Sequence, residues 1–286
     1  MADLHYTTLD DYTVLDMRGA DVIRFLQGQV SNDMQLLADR GSLLAALSNA
    51  QGRVIALLRL LHVAQDQVLI VLPAELAESV RQLLSKYVLR AKVTIAAAGT
   101  AWRVYGVTGP DAGAVAVTRI YMTMDPGGWR QLIVAPRGEA LPEARPVGRE
   151  SWRLADIESG LPEVFISTSG SYLAQMLNLD LLDAISLTKG CYTGQEVIAR
   201  AHYRGQVKRR MQRFYTGATR QLSPGERVQL QDGRVAQIVT AAPTESPGQQ
   251  FLAVTPLLHA PEPADHSEPD TSQRLECSAL PLPYLE

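Results

Sequence analysis

The feature that most limits what this chain can fold into is a change of rhythm near residue 203. Before it, helical and strand periods of apolar residues follow one another. After it, only short alternating runs remain. Lys208 to Tyr215, Arg227 to Leu230 and Arg234 to Thr240 read as strands, separated by turns at Ser223-Pro224-Gly225 and Asp232-Gly233. Asp-Gly between alternating runs is a strong hairpin signal. The sequence therefore predicts an α+β fold, with a body over residues 1–203 and a small C-terminal antiparallel β-barrel over 204–286.

Within the body, Asp21 to Gln29 places Val22, Phe25 and Leu26 on one side of a short amphipathic helix. Val54 to Val63 and Gln67 to Leu72 are expected as a hairpin around Ala64-Gln65-Asp66. Pro73 then opens a long helix with Leu76, Val80, Leu83, Leu84 and Tyr87 on one face. Val93 to Ala97 and Trp102 to Val107 read as strands, and Arg149 to Ser159 as a helix stopped by Gly160 and Pro162. Leu177 to Ile185 is a further helical stretch. Residues 260–273, rich in Pro, Ser and acids, predict a flexible excursion before a final strand ending Leu280-Pro281-Leu282-Pro283-Tyr284. There is no internal repeat, phosphate loop or dinucleotide glycine fingerprint.

Cys191 and Cys277 are the two cysteines, too few for a disulfide framework and without a Cys-x-x-Cys pair for zinc. The polar start Met1 to Tyr6 does not resemble a secretory signal. Val54 to Ala64, the most apolar stretch, is interrupted by Arg59 and His62 and is too short to span a bilayer. A cytoplasmic protein with no membrane partner is expected. The net charge of −3 argues against a general polyanion binder. Yet Val197 to Phe214 carries no acid, while Arg200, Arg204, Lys208, Arg209, Arg210 and Arg213 crowd into it.

Residues 189–200 carry the conspicuous chemistry. Thr193-Gly194-Gln195-Glu196 fits a capping box, with Thr193 as N-cap and Glu196 at the third helical position. Cys191 would then lie two residues outside a helix N-terminus, where the macrodipole favours a thiolate. Lys189 acts in the same direction and Glu196 against it, while Gly190 and Gly194 leave the sulfur accessible. The competing reading makes Cys191 a small buried hydrophobe, the usual fate of a free cysteine. Cys277 has no such setting.

Lys189-Gly190-Cys191-Tyr192-Thr193-Gly194-Gln195-Glu196 resembles the signature of YgfZ-type proteins, a branch of the glycine-cleavage T-protein superfamily. Phe25-Leu26-Gln27-Gly28-Gln29-Val30, Ile157-Glu158-Ser159-Gly160-Leu161-Pro162, Leu177-Asn178-Leu179 and the terminal Leu280 to Tyr284 also match family landmarks, in family order. The resemblance implies a three-lobed architecture of two interleaved α/β lobes plus the barrel, around a central tetrahydrofolate site. It implies cofactor-binding roles for Tyr12, where the family usually has Trp, and for Trp152. Glu158 matches the T-protein glutamate that accepts the two adjacent N–H donors of the pterin edge. Lys189, Tyr192, Glu196 and Arg200 are candidate cofactor contacts beside Cys191, the candidate reactive thiol. The basic run could hold the folate glutamate tail, touch RNA or remain a solvated face.

One departure excludes an activity. Aminomethyl transfer by the T-protein relies on an acidic pair after an Asn-Glu-x-Gly-Gly turn; aligned on Asn49, those acids fall on Ala56 and Leu57, which cannot polarise a folate nitrogen. The YgfZ branch is linked instead to iron–sulfur protein maintenance and, through it, to tRNA thiolation. Two cysteines and five histidines do not suffice for a stable intrachain cluster, so no permanently bound metal is expected. The resemblance thus implies a folate-binding factor for assembly or repair of iron–sulfur client proteins. A folate-dependent one-carbon transferase or demethylase with Glu196 or Asp183 as base, and a tRNA-binding factor, are the alternatives.

Overall fold

The computed structural model describes residues 4–110, 120–124, 129–139, 144–205, 207–257 and 274–285. The 260–273 stretch and its expected flexibility lie outside them. Three five-stranded sheets form the frame. The chain starts the first sheet with β1 (His5–Thr8) and then leaves it to build the second. That second sheet takes β2 (Tyr12–Arg18), β3 (Ser42–Ser48), β4 (Val54–Ala64), β5 (Gln67–Pro73) and β6 (Thr94–Ala97), in the order β3-β4-β5-β2-β6. α1 (Val22–Gln27), α2 (Leu37–Arg40) and α3 (Ala74–Val88) pack on it. The chain then returns through β7 (Trp102–Thr108), β8 (Ile120–Thr123), β9 (Arg130–Pro136) and β10 (Arg145–Pro146), giving the first sheet the order β10-β1-β7-β9-β8. The two lobes are interleaved, as the resemblance implied.

α4 (Arg149–Glu158) and α5 (Gln195–Tyr203) precede the third sheet. That sheet is entirely antiparallel, with β11 (Arg209–Thr216), β12 (Arg227–Gln229), β13 (Val235–Pro243), β14 (Gln249–Pro256) and β15 (Ser278–Leu280) in the order β12-β13-β14-β11-β15. Strand alternation gives it two apolar faces. Phe214, Ile238, Phe251 and Ala253 fill its own small core. Met211, Val239, Leu252 and Val254 join the main core of the body. A bulge between Ile238 and Thr240 breaks the alternation of β13 and re-aims the residues beyond it.

α4 lies between the first sheet and the third and decides how they meet. Its Trp152 is 2% exposed and lies flat against Gly106 of β7. A Cβ at Gly106 would fall 2.3 Å from the indole, so only glycine admits the ring. The guanidinium of Arg130 on β9 covers Trp152 at 4.7 Å and pairs with Asp156, one turn further along α4, at 2.8 Å.

Several elements differ from expectation. Leu177 to Ile185 is not an α-helix: a 3-10 turn over Ala174–Leu177 ends at Asn178, which adopts φ 56. The Asn178 side-chain amide donates to Met211 O at 3.0 Å and to Tyr284 Oη at 3.2 Å, so long-range bonds override local helical preference. Pro73 ends β5 and sits at the N-cap of α3 rather than in its first turn, and Tyr87 is exposed. The capping box is absent, since α5 begins after Gly194 at φ 84 with no side-chain cap. A Cβ there would come 2.6 Å from the Asn49 carbonyl oxygen, so a close backbone approach replaces Thr193 in fixing the helix start. Strands β1, β2, β3, β8, β9, β10 and β14 and the short helix α2 have no counterpart in the sequence pattern, and the final strand stops at Leu280 instead of running to Tyr284. Among the described residues no helix is long and apolar enough to cross a membrane.

Gly106→Ala is expected to destabilise the fold by roughly 1–3 kcal/mol through overpacking against Trp152. Gly217→Ala, where the added methyl meets open space, should stay within about 0.5 kcal/mol of wild type. Urea unfolding of the two variants measures the contrast.

Candidate functional site

A cavity of about 310 Å³ opens where the second sheet, α4 and β13 meet. Tyr12 at the start of β2 and Glu75 in the first turn of α3 form one side. Arg149, Arg153 and Asp156 form another. Their spacing of four and three residues puts all three on one stripe of α4. Leu161, Glu163, Phe165 and Thr240 of the bulged β13 complete the wall.

Behind Tyr12 lies a buried ion pair. Arg59 Nη1 on β4 reaches Glu163 at 2.9 Å, and the Tyr12 hydroxyl donates to the same carboxylate. Glu163 Oε1 also accepts from the Val164 N–H at 3.0 Å. Burial works against the Arg59 charge, but Glu163, Tyr12 and Asp156 outweigh it and hold the guanidinium protonated. Burial pushes the Tyr12 hydroxyl well above its usual value, with Arg59 pulling the other way. Guanidinium groups flank the Tyr12 ring, Arg59 at 4.9 Å and Arg149 at 5.5 Å from its centroid. Arg149 holds Asp11 through Nε and Nη2 at 2.8 and 2.9 Å, while its Nη1 is buried without a hydrogen-bond partner.

The structure does not bring the expected cofactor residues into one pocket. Tyr12 lines the cavity. Trp152 is buried beneath Arg130, which also pairs with Asp156 of the cavity wall, and does not itself line the cavity. Glu158 lies about 180° around α4 from Arg149 at 100° per residue. It is half exposed and approaches Gln250 Nε2 at 3.4 Å and Arg213 Nη2 at 3.6 Å. There it borders a second cavity of about 570 Å³ with Trp129, Leu181, Pro283 and Tyr284.

The cysteine segment forms a separate region. Cys191 is exposed, so it is not a buried hydrophobe. Lys189 points inward, its Nζ donating to the Val30 and Asn32 carbonyls at 2.7 Å each and lying 5.0 Å from the Tyr192 ring centroid. Tyr192 is buried, its hydroxyl unpartnered and pushed up to about 12 by burial. Glu196 and Arg200 are exposed on α5. Asp183, a candidate base, pairs with Arg40. Ala56 and Leu57 are fully buried in β4. Among the described residues no group of three or more His, Cys, Asp or Glu is placed to hold a metal.

No family model matches the chain. The tRNA-modifying protein YgfZ of Klebsiella pneumoniae is 31% identical over 314 aligned residues, covering 97% of this chain and 92% of that one. The protein of the same name from Escherichia coli O157:H7 is 32% identical over 316 aligned residues, with the same coverage. The chain belongs to the YgfZ family. Its fold is that of the glycine cleavage system aminomethyltransferase T from Bartonella henselae, with a TM-score of 0.71 at 16% identity over 89% of this chain and 79% of that one.

Two landmarks of the YgfZ signature meet through Lys189. Gln27 donates to Asp33 at 2.9 Å and accepts from the Met34 N–H at 2.7 Å, which shapes the loop whose carbonyls receive the ammonium. Arg59, Glu163, Asp156, Arg149 and Phe165 escaped sequence reasoning. Two signals were available: a lone arginine in an apolar strand needs a buried partner, and Arg149, Arg153 and Asp156 have one-face spacing.

Burial lowers Lys189 to about 8, with Asp33 opposing; unfolded, it returns to about 10.4. Between those values the unfolded chain binds more protons, so stability rises with pH. Below about 8 both states are protonated and the cost of the buried charge is fully present. Urea unfolding from about pH 7 to 10 should therefore show wild type gaining stability relative to Lys189→Met. A constant difference would mean that Lys189 titrates as an ordinary lysine.

Proposed function

We propose that this chain binds a reduced folate in the cavity between the second sheet, α4 and β13, and supports tRNA modification by maintaining iron–sulfur proteins. The observation that carries the folate reading is the composition of that cavity. Its size falls at the lower end of small-molecule sites. Asp156 supplies a carboxylate for adjacent N–H donors, and the Arg149 guanidinium in the same wall supplies a donor for a carbonyl. Tyr12 and Phe165 supply flat apolar wall. A pterin edge, with a ring N–H and an exocyclic amine beside a carbonyl, matches that donor and acceptor set. Two carboxylates of α4 compete for the edge: Glu158, which the family resemblance names, and Asp156, which faces the cavity. The reading assigns the edge to Asp156.

Ala74 is exposed at the rim, so Ala74→Trp can block the mouth without entering the core. Calorimetric titration with tetrahydrofolate should show affinity reduced at least about tenfold, equivalent to roughly 1.4 kcal/mol. Glu158→Gln should bind as wild type. Unchanged affinity in Ala74→Trp, or loss in Glu158→Gln instead, would reject this cavity as the folate site.

The tRNA part of the reading is supported by the name that the YgfZ relatives carry. The iron–sulfur part rests on the exposed Cys191 and on the absence of carboxylates at Ala56 and Leu57, which speaks against aminomethyl transfer. Tetrahydrofolate would supply one-carbon or redox chemistry, while Cys191 makes a transient contact with the iron or sulfur of a client protein. A cytoplasmic setting fits the two free thiols. Cys191→Ala is expected to lower tRNA thiolation by iron–sulfur enzymes in cells while leaving the melting temperature and folate affinity unchanged. Normal thiolation levels in that strain would remove Cys191 from the function.

A further inference from the structure

The basic run after Cys191 divides into two groups that its sequence does not distinguish. Arg209 donates to the Val235 carbonyl at 3.3 Å. Arg210 grips Asp180 at 2.9 and 2.7 Å, and Arg213 donates to Gln250 Oε1 at 2.9 and 2.7 Å. These three are half-buried and fasten the third sheet. Arg200, Arg204 and Lys208 differ. All three are exposed, and among the described residues their side chains make no hydrogen bond or ion pair.

Arg200 and Arg204 are one turn apart at the end of α5, and Tyr203 lies on the same side, three residues after Arg200. Tyr203 is 66% exposed, although a ring of that size would gain by burial. His202 packs edge-on against it, with centroids 4.9 Å apart and planes at 89°. The contact steadies the phenol ring while leaving it accessible. Glu196, one turn before Arg200, is the nearest acid along α5 and forms no ion pair with it. The chain as a whole carries −3, so this end of α5 inverts the sign of the molecule locally.

We propose that Arg200, Arg204 and Lys208, with Tyr203 between them, form a binding face for the phosphate backbone of looped or single-stranded RNA. The cations contact phosphates and Tyr203 stacks on an unpaired base. Unpaired cations interleaved with an exposed aromatic are the chemistry that such RNA selects. An acidic protein or lipid surface would use the charges but offers no unpaired base for the ring to stack on. None of the four residues lines the cavity assigned to folate, so the inference stands apart from that reading.

The probe is a fluorescently labelled single-stranded RNA of about 12 nucleotides, followed by anisotropy across a salt series. Three phosphate contacts predict a slope of about −2 in log K against log salt. The triple variant Arg200→Ala, Arg204→Ala, Lys208→Ala should lose at least about tenfold in affinity at low salt and flatten the slope. Tyr203→Ala should lose about tenfold with the slope unchanged. A matched variant neutralising Lys86, Arg90 and Lys92, another exposed basic group, should bind as wild type. The proposal is overturned if the triple variant binds normally, if the matched variant loses binding equally, or if vesicles of anionic lipid are bound while RNA is not. Tetrahydrofolate binding by the triple variant, measured in parallel, keeps a failure of this proposal distinct from a failure of the folate reading.

Discussion

The contact between Arg59 and Glu163 holds the centre of the molecule in place. It joins β4 of the second sheet to the segment that follows α4, and Tyr12 of β2 closes on the same carboxylate. Two charges removed from water cost several kcal/mol each, and their attraction repays that cost only with good geometry and satisfied neighbours. Here the tyrosine hydroxyl and the Val164 N–H complete the carboxylate. Losing either charge would leave its partner buried and uncompensated, the more damaging way to break such a pair. The wall of the cavity beside Tyr12 is therefore also the joint on which that part of the core relies.

The same economy appears at the family landmarks, which prove to be joints as much as chemistry. Tyr284 of the terminal Leu-Pro-Leu-Pro-Tyr run donates to the Gly160 carbonyl at 2.9 Å and accepts from Asn178 at 3.2 Å. Three landmarks far apart in sequence thus share one hydroxyl. Lys189 performs the equivalent task for the Phe25 to Val30 landmark. The cysteine is left exposed at the surface between two members of its segment, Lys189 and Tyr192, that face inward.

Much of the fold was legible because strand alternation and helix punctuation are local. The Val54 to Leu72 hairpin, α1, α3, α4 and the strands around Asp232-Gly233 follow directly from such patterns. What escaped was decided by distant partners. Asn178 left the helical region to bond Met211 and Tyr284, and the start of α5 was set by the Asn49 carbonyl rather than by Thr193. The candidate site was legible in its helix but not in its rotation. Resemblance drew attention to Glu158, whereas the stripe Arg149, Arg153 and Asp156 meets the cavity. No period reveals that an arginine on β4 and a glutamate a hundred residues later are partners.

The interleaving of the two lobes has a consequence for how the chain comes into being. β1 is made first, yet its sheet neighbours are β7, with His5 opposite Thr108, and β10, with His5 beside Arg145. During synthesis the second sheet can close on itself as soon as β6 has emerged, while β1 waits first for β7 and then for β10. Such distant pairings slow folding, because loop closure must precede any gain from contact. β1 therefore stays incompletely paired until β10 follows, although it precedes every other described strand of the body.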